Sequence, residues 1–343
     1  MSNLVANEAL SQLSWWPAKW RIEWRDQKTD CANQSQHRYC SIGIRTFQFN
    51  AAGLRGCSGM LGGRQFGSEL LYCCAMKVVV KVGTSLIAPG GRIATEWMRA
   101  LVDQLDLVQH EYLIVSSGAI ACGMAGLGLR TKPSEVQQMQ ACAAVGQSAL
   151  MHTYEQLFYG KKKVAQLLLT SDDFSSPARY RNLCNTLSHL LRLGVIPVVN
   201  ENDSVSVREL VGSFGDNDEL SALLALAVRA DWLLLLTNVD GFYLQGNGGG
   251  KKIVRTVRRF TPALEDACKG KSKLGTGGMA SKLRAARLAV SAGVHVVIAN
   301  GTKPGVIRQA FDRRTGTYFP PQLGKNGAGY LDGIQILSRF ADR

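Results

Sequence analysis

Two short stretches of the chain carry the residue types that phosphoryl transfer needs. Gly215-Asp216-Asn217-Asp218 is a dense acidic-amide turn, and some sixty residues later Gly275-Thr276-Gly277-Gly278-Met279-Ala280-Ser281-Lys282 is a glycine loop that delivers a lysine. A triphosphate needs backbone N–H groups close to its oxygens, which glycine permits, and a point positive charge on the migrating phosphoryl group, which lysine supplies. The loop is not a Walker A, because its glycines and lysine lack that spacing. A second lysine, Lys81, closes the apolar run Met76-Lys77-Val78-Val79-Val80 and leads into Gly83-Thr84-Ser85, another phosphate-style turn.

These residues need a scaffold, and the sequence from Met76 onward supplies one. Short β-branched and leucine runs predict strands over 76–82, 112–116, 164–169, 195–199, 232–237 and 294–299. Helical patterns lie between them over 95–108, 135–158, 176–193, 220–228 and 280–292. Such alternation predicts an α/β fold, a mainly parallel sheet covered on both faces, and ligands then sit beyond the carboxyl ends of the strands. The polar motifs fall there: Gly83-Thr84-Ser85 after the first strand, Ser116-Ser117-Gly118-Ala119 after the second, Asn200-Glu201-Asn202-Asp203 after the fourth, Thr237-Asn238 after the fifth. The only low-complexity tract, 246–250, is glycine-rich and reads as a loop.

Residues 1–75 differ in texture. Trp15, Trp16, Trp20 and Trp24 precede scattered Gly, Ser, Arg and Gln with neither a strand nor a helix period, so this segment reads as an extension outside the core and 76–343 as one domain. Glu8, Glu23, Asp26 and Asp30 weigh against reading the extension as a mitochondrial presequence, a class poor in acidic residues. No run reaches eighteen apolar residues; the nearest, 220–236, holds Ser221, Arg229 and Asp231 and reads as a buried helix followed by a strand. The nine cysteines match neither a zinc spacing nor Cys-x-x-Cys, which favours free thiols in a reducing, cytoplasmic setting. The net charge is +14, most of it after residue 75. Clusters such as Lys161-Lys162-Lys163 read singly as solvated faces; the lysines over 251–273 precede the glycine loop and would raise the potential around an anion.

Taken in order, these motifs resemble the amino-acid kinase family, a three-layer αβα sandwich, nearly continuously from Met76 to Gly305. They include Val80-Lys81-Val82-Gly83-Thr84-Ser85, Ser117-Gly118-Ala119-Ile120-Ala121, Ala143-Ala144-Val145-Gly146-Gln147-Ser148, Asn200-Glu201-Asn202-Asp203 and Lys303-Pro304-Gly305-Val306-Ile307. The Asn200–Asp203 and Gly215–Asp218 motifs favour the branch that phosphorylates the side-chain carboxylate of L-glutamate with ATP and Mg2+, at the start of proline synthesis. The resemblance implies that Lys81 and Lys282 act on the transferring group and that Asp218 organises both. It implies that Ser117, Asp203 and Asn217 bind glutamate, with Asp203 accepting from the ammonium group. It assigns the nucleotide to Lys81, Thr237, Asn238, Thr276, Gly277, Gly278, Met279, Ala280, Ser281 and Lys282. A homo-oligomer and feedback inhibition by proline are further implications.

Two positions depart from the family pattern. Asn238 stands where an aspartate is common, keeping size and hydrogen bonding but losing charge. The loop over 204–214 is long and carries Ser213 in place of a lysine, which bears on glutamate affinity and on proline feedback. After the kinase motifs only a short tail remains, too little for the RNA-associated PUA module of many bacterial relatives. Sibling kinases acting on acetylglutamate, aspartate, carbamate or uridylate are the nearest enzymatic alternatives. An RNA- or polyanion-binding protein, argued from the basic charge, is the alternative of another class, and an inactive amino-acid sensor is a third. Trp97 and Trp232 read as packing residues.

Overall fold

The computed structural model describes residues 75–205, 217–245, 251–261, 264 and 278–322. The expectations placed on residues 1–74, on the loop at 206–216 with Asp216, on the tract at 246–250, on Thr276 and Gly277 and on the tail from 323 lie outside the described residues.

The first half of the fold runs β1 (Lys77–Val82), a one-turn helix α1 (Thr84–Ile87), α2 (Thr95–Leu107), β2 (Glu111–Ser116), α3 (Ala119–Gly126), α4 (Val136–Phe158) and β3 (Val164–Leu169). It continues with α5 (Asp172–Ser175), α6 (Pro177–Arg192), β4 (Ile196–Glu201), α7 (Asn217–Ala227) and β5 (Trp232–Thr237). An antiparallel pair, β6 (Tyr243–Gln245) and β7 (Lys251–Ile253), precedes α8 (Met279–Ser291), β8 (His295–Asn300), α9 (Val306–Phe311) and β9 (Thr317–Phe319).

The main sheet has seven strands in the order β3-β4-β2-β1-β5-β8-β9. Its pairs are parallel except β8 with β9, which is antiparallel, so the sheet is mixed only at that edge. Pro197, which has no N–H to give, sits in β4 just before the pairing with β2 begins at Val198. The three-residue strands β6, β7 and β9 are too short to show a period, and the sequence did not predict them.

Alternation along each strand sends neighbouring side chains to opposite faces. Val79, Leu113, Val115, Leu233 and Leu235 pack on one face against Leu187 of α6, Leu223 of α7 and Ala286 of α8. Val78, Val80, Ile114, Leu234 and Leu236 pack on the other against Met98 of α2, Tyr154 of α4 and Ile307 of α9. The result is the expected αβα sandwich. Lys81 shares its parity with Val79, so it belongs to the face of α7 and α8, and that assignment builds the site.

Helices α3 and α4 cross without room for side chains. A Cβ on Gly123 would lie 1.8 Å from the Cys142 carbonyl oxygen, and one on Gly146 would lie 1.8 Å from that of Ala119. Gly123 and Gly146 therefore permit this crossing. Trp97 and Trp232 pack as expected: Trp97 Nε1 donates to Gly301 O at 2.8 Å, and Trp232 stacks on His295.

Candidate active site

From β1 the chain fills one flank of the sheet with β2, β4 and β3, then crosses to the other with β5, β8 and β9. The carboxyl end of β1 is therefore the point where the connections diverge, the place where open α/β sheets bind ligands. A cleft of about 630 Å3 opens there. Lys81, Ser117, Asp203, Asn217, Thr237, Asn238 and Lys282 all line it, drawing together residues from both flanks.

Asp218 lies under the cleft, wholly buried in the first turn of α7. Lys81 Nζ meets its Oδ1 at 2.7 Å and Lys282 Nζ its Oδ2 at 2.9 Å. Both lysines are themselves buried, at 3% and 6% exposure. Such placement in a low-dielectric interior requires the charges to compensate one another. Ser281 Oγ lies 2.8 Å from both Asp218 Oδ2 and Gly278 O at the start of α8, the two acceptors available to its one proton. Of the predicted glycine loop, Gly278, Met279, Ala280, Ser281 and Lys282 are described, and only Lys282 among them lines the cleft.

On the β2–β4 flank, Asn217 Nδ2 donates to Ser117 Oγ at 2.8 Å and to Asn200 Oδ1 at 3.0 Å. Asn200 Nδ2 in turn donates to Gln147 Oε1 on α4, at 3.0 Å. The Asn217 Oδ1 atom is buried with no hydrogen-bond partner among the described residues. An acceptor left so inside a cleft fits a ligand that brings an N–H donor. Asp203 is buried in the same wall. Gly118 follows Ser117 with φ of 104°, and a Cβ there would come 3.1 Å from Ile87 Cγ2; only glycine turns β2 into α3 this sharply.

On the β5 flank, Thr237 and Asn238 reach the cleft from the end of the strand. A carboxylate does stand two residues beyond Asn238. Asp240 Oδ1 pairs with Lys303 Nζ at 2.8 Å and accepts from Asn300 Nδ2 at 2.9 Å, and these bonds, Lys303 first, hold its carboxyl below the usual range. Asn200 and Gln147 were quoted within motifs but given no role by the sequence, because their link spans 53 residues. Lys132 also lines the cleft and carried no sequence signal.

Among the described residues no cluster of three or more His, Cys, Asp or Glu could hold a metal. Asp218, the acidic group nearest the lysines, is engaged by both. This donor set fits Mg2+ that arrives with a nucleotide and takes most of its oxygen ligands from phosphates and water. No helix among the described residues is long and apolar enough to cross a membrane.

Fold and cleft define a phosphotransferase-type α/β sandwich, and the chain matches the amino acid kinase family over residues 76–300. It belongs to that family. Within it, the chain is 47% identical over 263 residues to a glutamate 5-kinase of Dehalococcoides mccartyi, covering 74% of this chain and 70% of that one. A glutamate 5-kinase of Clostridium acetobutylicum is 42% identical over 256 residues, 72% of this chain and 95% of that one. Among solved structures, a Giardia carbamate kinase aligns at a TM-score of 0.49 and 15% identity, covering 73% of this chain and 100% of that one.

Proposed function

We propose that the chain transfers the γ-phosphoryl group of ATP to the side-chain carboxylate of L-glutamate, giving ADP and L-glutamyl 5-phosphate, the first step of proline synthesis. The observation that carries this is the Lys81–Asp218–Lys282 cluster under a cleft at the carboxyl end of β1. A free glutamate side chain titrates near ~4.3, so the nucleophile is ionised at neutral pH and no general base is needed. The obstacle is the approach of two anions. An oxygen of the carboxylate bonds to the γ-phosphorus as the bond to the ADP oxygen breaks, and charge spreads over the equatorial oxygens. Lys81 and Lys282 stabilise that charge, and Asp218 holds both ammonium groups in place.

Ser117, Asp203 and Asn217 hold the amino acid in this reading. The buried, unpartnered Asn217 Oδ1 supports an ammonium-bearing substrate, with Asp203 as the charged acceptor. Thr237, Asn238 and the loop from Thr276 through Gly277, Gly278, Met279, Ala280 and Ser281 to Lys282 hold ATP. Mg2+ neutralises part of the triphosphate when bound. A homo-oligomer belongs to the same reading, supported by exposed Val145 on α4 and Leu168 on edge strand β3. So do feedback by proline and a cytoplasmic setting, the latter supported by the free thiols of Cys122, Cys142 and Cys184.

Trapping the acyl phosphate with hydroxylamine tests the proposal. With ATP and Mg2+, hydroxamate should form from L-glutamate and not from aspartate, N-acetylglutamate or carbamate, and added proline should suppress it. Absence of product from glutamate, or equal product from another acceptor, overturns the assignment.

A further inference from the structure

Lys132 lines the same cleft as Lys81 and Lys282 but is not tied to Asp218. It lies in the connection between α3 and α4, is exposed, and makes no ion pair among the described residues. No backbone hydrogen bond is made by residues 130–134 among the described residues, so the connection can adjust its position over the cleft.

The position of this lysine along the sheet decides what it meets. Thr237 and Asn238 reach the cleft from β5, on one flank of β1; Ser117 and Asp203 reach it from the ends of β2 and β4, on the other. Helix α3 starts directly after β2, and Ala121 and Met124 of that helix line the cleft beside Lys132. Lys132 thus shares the cleft lining with α3, the helix that starts on the amino-acid flank.

A 2-amino dicarboxylate brings three charges into this cleft. Its reacting carboxylate goes toward Lys81 and Lys282, and its ammonium group goes to Asp203 and Asn217 Oδ1. The second carboxylate is left beside Ser117, and among the described residues that line the cleft Lys132 is the cation which Asp218 does not engage. We propose that Lys132 is a specificity residue that recognises the substrate carboxylate on the α-carbon and closes the outer wall of the cleft over it. This rests on glutamate being the acceptor. An exposed ion pair of this kind is worth about 0.2–1 kcal/mol, which converts to at most about a five-fold change in affinity.

The test compares wild type, Lys132→Met, Lys132→Arg and the surface control Arg130→Met in the hydroxamate assay. Lys132→Met should raise KM for L-glutamate about three- to five-fold while kcat and KM for ATP stay put, and Lys132→Arg should restore most of the loss. The inhibition constant of 4-aminobutyrate, which lacks the α-carboxylate, should be the same in wild type and Lys132→Met. Raising ionic strength should weaken glutamate binding more in wild type than in Lys132→Met. An unchanged glutamate KM in Lys132→Met, an equal change in the ATP KM, or an equal loss for 4-aminobutyrate overturns the role of Lys132 and leaves the glutamate kinase reading standing. If wild type makes no hydroxamate from glutamate, both fall together.

Discussion

Asp218 carries two tasks that mutation separates. On the proposed mechanism, removing either lysine takes a charge from the transferring phosphoryl group, so Lys81→Ala and Lys282→Ala are each expected to lower kcat by about 10²-fold or more in steady-state assays. Each still leaves Asp218 one ammonium partner. Asp218→Ala leaves two buried lysines facing each other, and denaturant titration should show a loss of about 3–5 kcal/mol, more than either lysine variant. Asp203→Ala should act differently, raising KM for glutamate more than KM for ATP; equal effects would contradict its proposed role in holding the amino acid. The meeting of Lys81 and Lys282 on Asp218 was legible in the sequence through the family motifs that carry them. The Asn217–Asn200–Gln147 chain was not, since a hydrogen bond between α4 and β4 leaves no local pattern. Lys132 was invisible for the same reason: a loop lysine acquires meaning only from the cavity beside it.

At the scale of elements, the α3–α4 crossing supports the site from behind. Gly146→Ala forces a Cβ against the Ala119 carbonyl, backbone that cannot yield as a side-chain tip would. Overpacking costs about 1–3 kcal/mol, and about 2–4 °C of Tm accompanies each kcal/mol in a domain of this size. Thermal unfolding of Gly146→Ala should therefore fall by several degrees, and its glutamate KM should rise, because α3 begins beside Ser117. A substitution at exposed Gln137 is expected to do neither. The long elements were predicted to within a residue or two wherever a clear period ended on a turn: β3 and β5 match in full, and α4 starts one residue late. Helix α7 was placed three residues short at its start, at Leu220 instead of Asn217. Its polar opening, Asn217-Asp218-Glu219, reads as a turn in sequence but is the first turn of a helix whose N-terminal dipole favours acidic groups. Helices α3 and α9 were given no bounds, because eight and six residues give too few turns for a helical period.

Across the whole molecule, two histidines sit at the amino ends of the strands, away from the cleft. Burial holds His110 below the ordinary imidazole value, and burial followed by the Arg313 charge does the same to His295. The unfolded chain binds protons first as pH falls through about 6.5, so stability is full above that value and declines toward the lower folded-state values. Tm should drop between pH 7 and pH 5.5, and the drop should shrink in a His110→Gln, His295→Gln double variant. At the other end of the scale, the family match begins at residue 76 and β1 begins at Lys77. A protein starting at Met76 is therefore expected to fold and to phosphorylate glutamate with kinetic constants close to those of the full chain. Insolubility of that protein, or failure to bind ATP, would mean that the preceding residues belong to the core.

The central place of β1 also sets an order of events during synthesis. The first strand among the described residues is paired on one side by β2, but its other side waits for β5, more than a hundred residues later. Asp218 finds Lys81 once α7 docks, whereas Lys282 follows it by 64 residues. The strands of the β2–β4 flank thus leave the ribosome well before Lys282 exists to complete the cluster on Asp218. Pairing of such sequence-distant segments is slow, because loop closure comes before the reward of contact. Until α8 emerges, Asp218 lacks Lys282, so the buried ion cluster is completed only late in synthesis.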